Sequence, residues 1–294
     1  MKQAKGYVST LLSAIIYGAG PLMVTLVYRS GFGVNAVSFL RVIFPIPVLA
    51  LIVFLRRESF AIRGSQILKI LFLGVMGSVL TSQLLFRAIH HIDTGTATAL
   101  NFTYPVLVIL LDKILYKQRS NRYLWIAVAL CFAGVMLFCN PHGTFTWKGF
   151  FLALGSALSF GLYVLYLDRS GLMEEMGFYS FTFYFFLISS VLTLPFAVFS
   201  GELNCSIQPT GWILAAGFSL LDGLLATIFQ QYGVETIGGR AASILSAVEP
   251  VTSASLGAIF LHEVIQTRNI CGMVLIIIST VYLMVKGSDQ QDPS

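Results

Sequence analysis

Two acidic residues, Asp222 and Glu249, lie near the middle of long apolar stretches in this chain of 294 residues. A charged side chain at the centre of a membrane-spanning helix costs about 2.5–3.5 kcal/mol on insertion scales, so it must face protein or water. A carboxylate in such a place can bind a polar group of a solute or exchange a proton. Both residues are therefore candidates for substrate binding and for proton coupling. For Glu249 the structural alternative is a cap on backbone groups that Pro250 leaves free.

Further polar residues fall at helical spacing around these carboxylates and along a third segment. The stripes consist of Ser219, Asp222, Ala226 and Gln230; of Ser246, Glu249 and Ser253; and of Thr98, Asn101 and Pro105. Each stripe lies on one helix face, and lipid penalises a polar face, so the stripes predict convergence on a central hydrated cavity. The alternative is hydrogen bonding between helices, worth about 0.6–2 kcal/mol, which competes most for the serines and threonines.

An amide and three aromatic residues complete the candidates. Gln83 lies inside the third apolar segment, and the aromatic side chains lie in segments with small residues that allow close approach of helices. The predicted substrate-binding set is Tyr17, Gln83, Asn101, Phe160, Tyr163, Asp222, Gln230, Ser246 and Glu249. Pro105 and Pro250 are predicted hinges, because a proline removes a helix hydrogen bond. Packing against lipid or protein is the alternative for each aromatic residue.

Patterns of catalytic or metal-binding residues are missing from the sequence. It contains no His-Glu-x-x-His, no Gly-x-Ser-x-Gly and no P-loop. His90 and His91 are neighbours that point about 100° apart on a helix, so they cannot chelate one ion. We expect no enzyme activity, no cofactor and no metal, and nucleotide-driven pumping is excluded within this chain. Arg41, near the outer end of the second apolar segment, is expected to form a structural pair, although it lies close enough to that end to snorkel.

The composition defines the elements that must hold these residues. Hydrophobic residues make up 56% of the chain, charged residues 11%, and the mean hydropathy is +0.83, against roughly 45–50% apolar and about 25% charged in soluble proteins. Because a spanning helix takes about 20 apolar residues, the length holds ten spans and little else. We predict an all-α integral membrane protein with spans at residues 7–28, 34–55, 67–89, 94–115, 123–139, 147–167, 178–199, 211–232, 240–261 and 269–285.

The distribution of basic residues predicts the orientation. With the N-terminus in the cytoplasm, thirteen of the 18 basic residues fall on the cytoplasmic side, four fall on the other side, and Arg41 stays inside a span. This asymmetry is what the positive-inside rule expects for a cell (inner) membrane protein with both termini in the cytoplasm, including a polar tail at 286–294. The net charge of +5 therefore needs no nucleic-acid partner.

An internal repeat relates the two halves of the chain. Residues 13–18 return at 156–161, residues 29–31 return at 169–171, and Pro105 returns as Pro250, with offsets of 140 to 145 positions. The sequence thus predicts two five-helix repeats, residues 1–139 and 147–285. Because five is odd, the second repeat enters the membrane from the opposite side, and an inverted repeat favours alternating access to a midplane site. Simple duplication without that mechanism is the alternative.

Several of these residues together resemble a known family. Val248-Glu249-Pro250-Val251, followed by an apolar helix ending at Leu261-His262-Glu263, and Thr103-Tyr104-Pro105-Val106 in the first repeat are similar to the EamA-like family of the drug/metabolite transporter superfamily. Phe39-Leu40-Arg41 fits as well, although Phe183 takes the position of Arg41 in the second repeat. The resemblance implies a ten-helix transporter, often an exporter, of amino acids, metabolites or amphipathic drugs.

These observations lead to one functional hypothesis and its alternatives. We expect a secondary transporter in the lipid bilayer, an exporter of a small amphipathic solute such as an amino acid, whose cavity lies between the first, third, fourth, sixth, eighth and ninth helices. The alternatives are import or exchange of phosphorylated or nucleotide-linked solutes, and a membrane scaffold or flippase subunit without a solute of its own. A homodimer is left open.

Overall fold

The computed structural model describes residues 2–116, 122–138, 146–203, 207–263 and 266–288. Throughout these residues the secondary structure is helical, without a strand. Within these described ranges, eight helices are long and apolar enough to cross a membrane, and two shorter apolar helices cover Trp125–Leu137 and Thr267–Ser279. The predicted class, an all-α membrane protein, is confirmed, with eight long spanning helices and two shorter apolar ones where the sequence predicts ten spans.

We number the ten apolar segments α1 to α10. They are α1 Lys2–Arg29, α2 Val34–Arg56, α3 Gly64–Ile89, α4 Thr94–Tyr116, α5 Arg122–Phe138, α6 Trp147–Ser170, α7 Phe178–Phe199, α8 Pro209–Gly239, α9 Ala241–Phe260 and α10 Thr267–Ser288. A short helix, Leu172–Met176, lies between α6 and α7.

Several predicted boundaries differ from the structure because a helix can continue past its apolar run; helix α1, for example, begins at Lys2 rather than at residue 7. Helix α8 extends to Gly239 rather than ending at residue 232, and its added part includes the exposed Glu235. Of the predicted tail, residues 286–288 continue α10, while 289–294 lie outside the described residues, as does residue 139 at the end of the first predicted repeat.

Helix packing follows the same pattern in both halves. Helix α1 packs on α8 and α9, and α6 packs on α3 and α4; α2 contacts α8, and α7 contacts α3. The pairs α2 with α7, α4 with α9 and α5 with α10 also pack on each other. Exchanging each helix with the one five places along leaves this pattern unchanged. Two related five-helix units that wrap around a shared axis would produce such an exchange symmetry.

Helices α3 and α8 each contain a π-helical segment at corresponding positions. The segments are Gly74–Leu80 and Ser219–Leu225. The Ser156 hydroxyl of α6 donates to the carbonyl of Thr81 at 3.0 Å, and the Ser13 hydroxyl of α1 donates to the carbonyl of Ala226 at 2.8 Å. Thr81 and Ala226 are the residues that directly follow the two segments, so each irregular turn is bonded to the first helix of the other half. π-Helical segments are rare in proteins, and those that do occur are often found at functional sites.

Helices α4 and α9 are each interrupted by a turn. Helix α4 consists of Thr94–Asn101 and Tyr104–Tyr116, and α9 resumes as Val248–Phe260 after a turn at residues 246 and 247. Pro105 and Pro250 lie in the first turn after each interruption, where the missing N–H removes no helix hydrogen bond. The hinge role of the two prolines stays a prediction.

Two glutamates cap helices that belong to the opposite half. Glu202, after α7, accepts hydrogen bonds from the backbone N–H groups of Asn35 and Ala36 at the start of α2, at 2.6 and 3.1 Å. Glu58, after α2, accepts from the backbone N–H of Ser180 at the start of α7, at 2.8 Å. A negative charge stabilises a helix N-terminus, so α2 and α7 are held reciprocally.

Candidate functional site: a central cavity

A cavity lies between eight of the ten helices. All six helices expected to surround it contribute, and α2 and α7 contribute in addition, whereas α5 and α10 supply none of the lining residues described. The lining residues are Tyr17, Gly20, Pro21, Arg41, Gly77, Thr81, Ser82, Leu85, Phe86, Thr98, Asn101, Phe160, Tyr163, Phe185, Asp222, Thr227 and Glu249.

The structure brings six of the nine predicted site residues to this cavity. These are Tyr17, Asn101, Phe160, Tyr163, Asp222 and Glu249. The other three, Gln83, Gln230 and Ser246, are buried but do not line it.

Local geometry explains where two of these three residues, Gln230 and Ser246, lie. The π-helical segment of α8 changes the helical register between Asp222 and Gln230, so the stripe predicted from a uniform period does not continue to Gln230. The Gln230 side chain instead accepts a hydrogen bond from Ser13 at 3.4 Å. Ser246 lies at the interruption of α9 and donates to the carbonyl of Ala242 at 3.2 Å.

A buried ion pair joins α2 to α8 at the wall of the cavity. The Nε atom of Arg41 donates to Oδ2 of Asp222 at 2.6 Å, and the side chains are only 10% and 7% exposed. The Nη1 atom of Arg41 donates to the Ser82 hydroxyl of α3 at 3.2 Å. The expected structural pairing of Arg41 is present, and this side chain points to the centre of the protein instead of snorkelling to the membrane surface.

Glycines permit the close helix contacts around this pair. A Cβ atom at Gly223 would collide with the backbone carbonyl oxygen of Arg41, and one at Gly77 would collide with the ring of Tyr163. Gly77 is the residue of α3 that corresponds to Asp222 of α8 in the repeat. At equivalent positions of the two halves, one residue therefore makes room for an aromatic ring and the other supplies a carboxylate.

Aromatic rings form one wall of the cavity. Phe160 and Tyr163 are stacked, with ring centroids 5.6 Å apart and an interplanar angle of 29°, and Phe185 lies 5.6 Å from Tyr163. The Tyr163 hydroxyl accepts a hydrogen bond from Gln231 at 3.3 Å, which the sequence analysis missed. On another wall, the Tyr17 hydroxyl and the Thr227 hydroxyl lie 2.9 Å apart. The phenol groups are thereby fixed, and their apolar faces are left for a solute.

Two buried oxygen atoms at the cavity have no hydrogen-bond partner among the described residues. They are Oε1 of Glu249 and Oδ1 of Asn101. By contrast, the hydroxyls of Thr98 and Ser253 lie 3.0 Å apart and join α4 to α9. The packing alternative therefore describes these two hydroxyls, whereas the glutamate and the asparagine keep acceptors available. An unpaired buried acceptor is costly, so a bound donor would stabilise the site.

Repeat symmetry is the signal that could have found several of the missed residues. Ser82 and Thr227 are 145 positions apart and both line the cavity, as do Gly20 and Tyr163 at an offset of 143. Aligning the two repeats around a known candidate thus points to its counterpart. Phe185 carries no such signal, since its sequence neighbours are also aromatic.

The chemistry available in the cavity is binding by charge, hydrogen bonds and aromatic faces. Within the part of the chain that the structure describes, there is no group of three or more His, Cys, Asp or Glu side chains able to hold a metal. The fold and the cavity define a multi-pass α-helical membrane protein with an internal cavity.

Comparison with known proteins identifies the family. The sequence profile of the EamA-like transporter family matches residues 4–139 and again residues 147–285. The chain belongs to the EamA-like transporter family, as the resemblance in its sequence indicated. Its environment is accordingly the lipid bilayer, and its ligand a small-molecule solute.

Individual relatives are distant but cover most of the chain. The uncharacterized inner membrane transporter YicL of Salmonella typhimurium is 24% identical over 290 residues, 95% of each chain. The uncharacterized transporter YwfM of Bacillus subtilis is 25% identical over 76% of this chain and 75% of its own length. The pseudopaline exporter CntI of Pseudomonas aeruginosa is 22% identical over 81% of this chain and 82% of its own.

A solved crystal structure shares the fold. It superimposes with a TM-score of 0.69 at 12% identity, covering 98% of this chain and 99% of its own. At this identity the likeness concerns the fold alone.

Proposed function

We propose that this protein is a secondary transporter that exports small amphipathic solutes, such as amino acids, by alternating access. The observation that carries the proposal is the central cavity, which combines an aromatic wall with the buried charges of Arg41, Asp222 and Glu249. Such a lining suits a solute with an apolar body and a few polar groups, because apolar pockets with a few placed polar groups are typical of small-molecule sites. It suits a sugar or a bare ion less well.

The symmetry of the fold supports alternating access. Transporters built from inverted repeats place the site between the repeats, at interrupted helices, and expose it to each side by exchanging the conformations of the two units. Here α4 and α9 are interrupted, α3 and α8 carry corresponding π-helical segments, and helix packing follows one pattern in both halves. We therefore take residues 1–139 and 147–285 as two inverted repeats.

The direction of transport is proposed from a relative, and the source of energy from the absence of a nucleotide-binding motif. CntI is named as an exporter, of pseudopaline. The sequence holds no P-loop, so the energy must come from a gradient of the solute or of a coupled ion.

Glu249 is the proposed proton-coupling residue, with Asp222 as the second candidate. Glu249 is buried at the cavity, and its Oε1 atom has no partner among the described residues, whereas Asp222 is engaged by Arg41. Glu249→Gln should abolish the dependence of transport on a proton gradient while exchange at saturating solute persists. Glu263→Gln is a matched control, because it is the same substitution at a glutamate that caps α4 through Thr94. Gradient dependence that survives Glu249→Gln would remove Glu249 from the coupling.

The proposed orientation has both termini in the cytoplasm. Reporters fused after Lys286 and near Arg119 should read cytoplasmic, and one fused near Cys205 should read external. An external C-terminus would contradict the inverted repeat, since it requires an odd number of spans.

Transport in reconstituted vesicles tests the proposal as a whole. Purified protein in vesicles is given a panel of labelled amino acids and other small amphipathic metabolites, and uptake or counterflow is measured against empty vesicles. Asn101→Phe, which fills the cavity, should abolish transport, whereas Ile126→Phe, on the exposed face of α5, should leave it unchanged. Absence of transport for every solute of the panel, or equal loss in both variants, would contradict the proposal.

A further inference from the structure

The described cavity lining holds two carboxyl groups and one basic side chain. Arg41 is the only basic residue among the described residues that line it, and Asp222 already neutralises this guanidinium at 2.6 Å. The second carboxylate, Glu249, is 5% exposed and faces the cavity without a basic neighbour in that lining. A buried charge is stable only when it is paired, neutralised or hydrogen-bonded, so the site has room for one added positive charge.

Two buried hydrogen-bonding groups without a partner belong to residues that line the same cavity. Oε1 of Glu249 and Oδ1 of Asn101 are buried acceptors without a partner among the described residues, on the facing helices α9 and α4. Both line the cavity, while the neighbouring hydroxyls of Thr98 and Ser253 bond to each other at 3.0 Å. Among the residues that line the cavity, the two buried atoms without a partner are thus acceptors, which favours a solute with more than one N–H donor.

Arg41 is already engaged by two side chains of the protein. Its Nε atom is bonded to Asp222 and its Nη1 atom to Ser82, at 2.6 and 3.2 Å. A solute carboxylate would have to compete with a buried partner already in contact. The aromatic side chains Tyr17, Phe160 and Tyr163 also line the cavity, and aromatic faces attract cations as well as apolar bodies.

From these observations we propose that Glu249 and Asn101 form an ammonium subsite, and that the solute is recognised by a protonated amine attached to an apolar or aromatic body. This inference rests on the proposed function and names the substrate class of the same site. An ammonium group carries three donors and one positive charge, which matches the two unpartnered acceptors and the carboxyl group that has no basic neighbour in the lining. The aromatic wall holds the body of the solute. A carboxylate on the solute is not required for recognition.

Three probes that share a phenyl ring separate the possibilities. Phenethylamine has the amine alone, phenylalanine has amine and carboxylate, and 3-phenylpropionate has the carboxylate alone. Binding to the purified full chain in detergent is measured by calorimetry for each probe. We expect phenethylamine and phenylalanine to bind and 3-phenylpropionate to bind at least about tenfold more weakly, because a hydrogen bond to a charged group contributes about 1.5–3 kcal/mol. The subsite would be overturned if 3-phenylpropionate bound as tightly as the two amines or more tightly, or if neither amine bound.

Variants locate the subsite on Glu249. Glu249→Gln keeps the shape of the side chain and should weaken phenethylamine binding about tenfold to a hundredfold, whereas Glu263→Gln, a change of the same kind at the cap of α4, should leave it unchanged. Asn101→Ala should weaken it less than Glu249→Gln, because it removes a neutral acceptor. Wild-type affinity in Glu249→Gln would overturn the assignment, and the three-probe comparison on the wild type decides the amine requirement even where a variant fails to fold.

The same preparations keep this inference apart from the proposed function. Amine binding that depends on Glu249, without transport of any solute in vesicles, would support the subsite and contradict the transporter function. Transport of solutes without an amine, at rates that Glu249→Gln does not change, would support the transporter function and overturn the subsite.

Discussion

Breaking the Arg41–Asp222 pair should strongly destabilise the fold, and replacing Asp222 should cost more than replacing Arg41. Asp222→Asn leaves the guanidinium of Arg41 without its partner. This group cannot lose its charge, and the Arg41 side chain in the cavity wall is only 10% exposed. Removing one partner of a buried pair costs about 3–5 kcal/mol, and we expect the lower end of this range because helices unfolded in a micelle still find polar partners. Arg41→Gln should cost less, since Asp222 can bind a proton. The double variant Arg41→Gln/Asp222→Asn restores a neutral amide pair and should lie within about 1–2 kcal/mol of the wild type.

Reversible unfolding in mixed detergent and SDS micelles measures these four free energies as a double-mutant cycle. The control cycle uses Arg169 and Asp112, which lie 2.5 Å apart with side chains 37% and 18% exposed. This more exposed pair should show a coupling below about 1 kcal/mol, against at least about 2 kcal/mol for the buried pair. A cost of Asp222→Asn below about 1 kcal/mol, or a double variant as unstable as both single variants combined, would refute the assignment of the pair as the lock between α2 and α8.

Two further changes test the close packing and the reciprocal caps. Gly223→Ala should destabilise the protein by about 1–3 kcal/mol, because its Cβ would meet the backbone of Arg41. The control, Gly217→Ala on the same helix, places its Cβ in open space and should stabilise the protein by up to about 1 kcal/mol. Equal effects of the two variants in thermal unfolding would contradict the contact. Glu202→Gln should lower the free energy of unfolding by roughly 0.5–2 kcal/mol, because it weakens the cap of α2. The same substitution at the exposed Glu174 should change it by no more than about 0.5 kcal/mol. An unchanged unfolding midpoint for Glu202→Gln would show that the cap contributes nothing.

The membrane class and most helix bounds could be predicted from the sequence, because lipid imposes a simple demand on every spanning segment. Long apolar runs separated by polar residues are a strong signal, and the predicted starts of α2, α4, α6 and α7 agree with the structure. Helix α8 was predicted to end too early, since hydropathy marks the apolar length of a helix rather than its hydrogen-bonded length. The ends of α5 and α10 adjoin residues that the structure does not describe.

The site could be predicted only in part, because its geometry depends on departures from the regular helix. Asp222 and Glu249 stand out as charges among apolar residues, and both line the cavity. Gln230 was placed with them on a uniform helical period, but the π-helical segment between residues 219 and 225 changes that register. The partner of Arg41 could not be identified from spacing, since Asp222 lies 181 positions away and meets it only through packing of α2 on α8.

Protection of cavity cysteines by a transported solute tests whether the cavity is the transport pathway. In a variant without Cys131, Cys139, Cys205 and Cys271, single cysteines replace Tyr17 or Asn101 in the cavity, or Val128 or Ile277 on α5 and α10. Labelling with a water-soluble thiol reagent is measured with and without a solute that the vesicles transport. The cavity cysteines should react and be protected by the solute, while the two on α5 and α10 stay unreactive. Protection at Val128 or Ile277, with none at Tyr17 and Asn101, would place the pathway elsewhere and contradict the account.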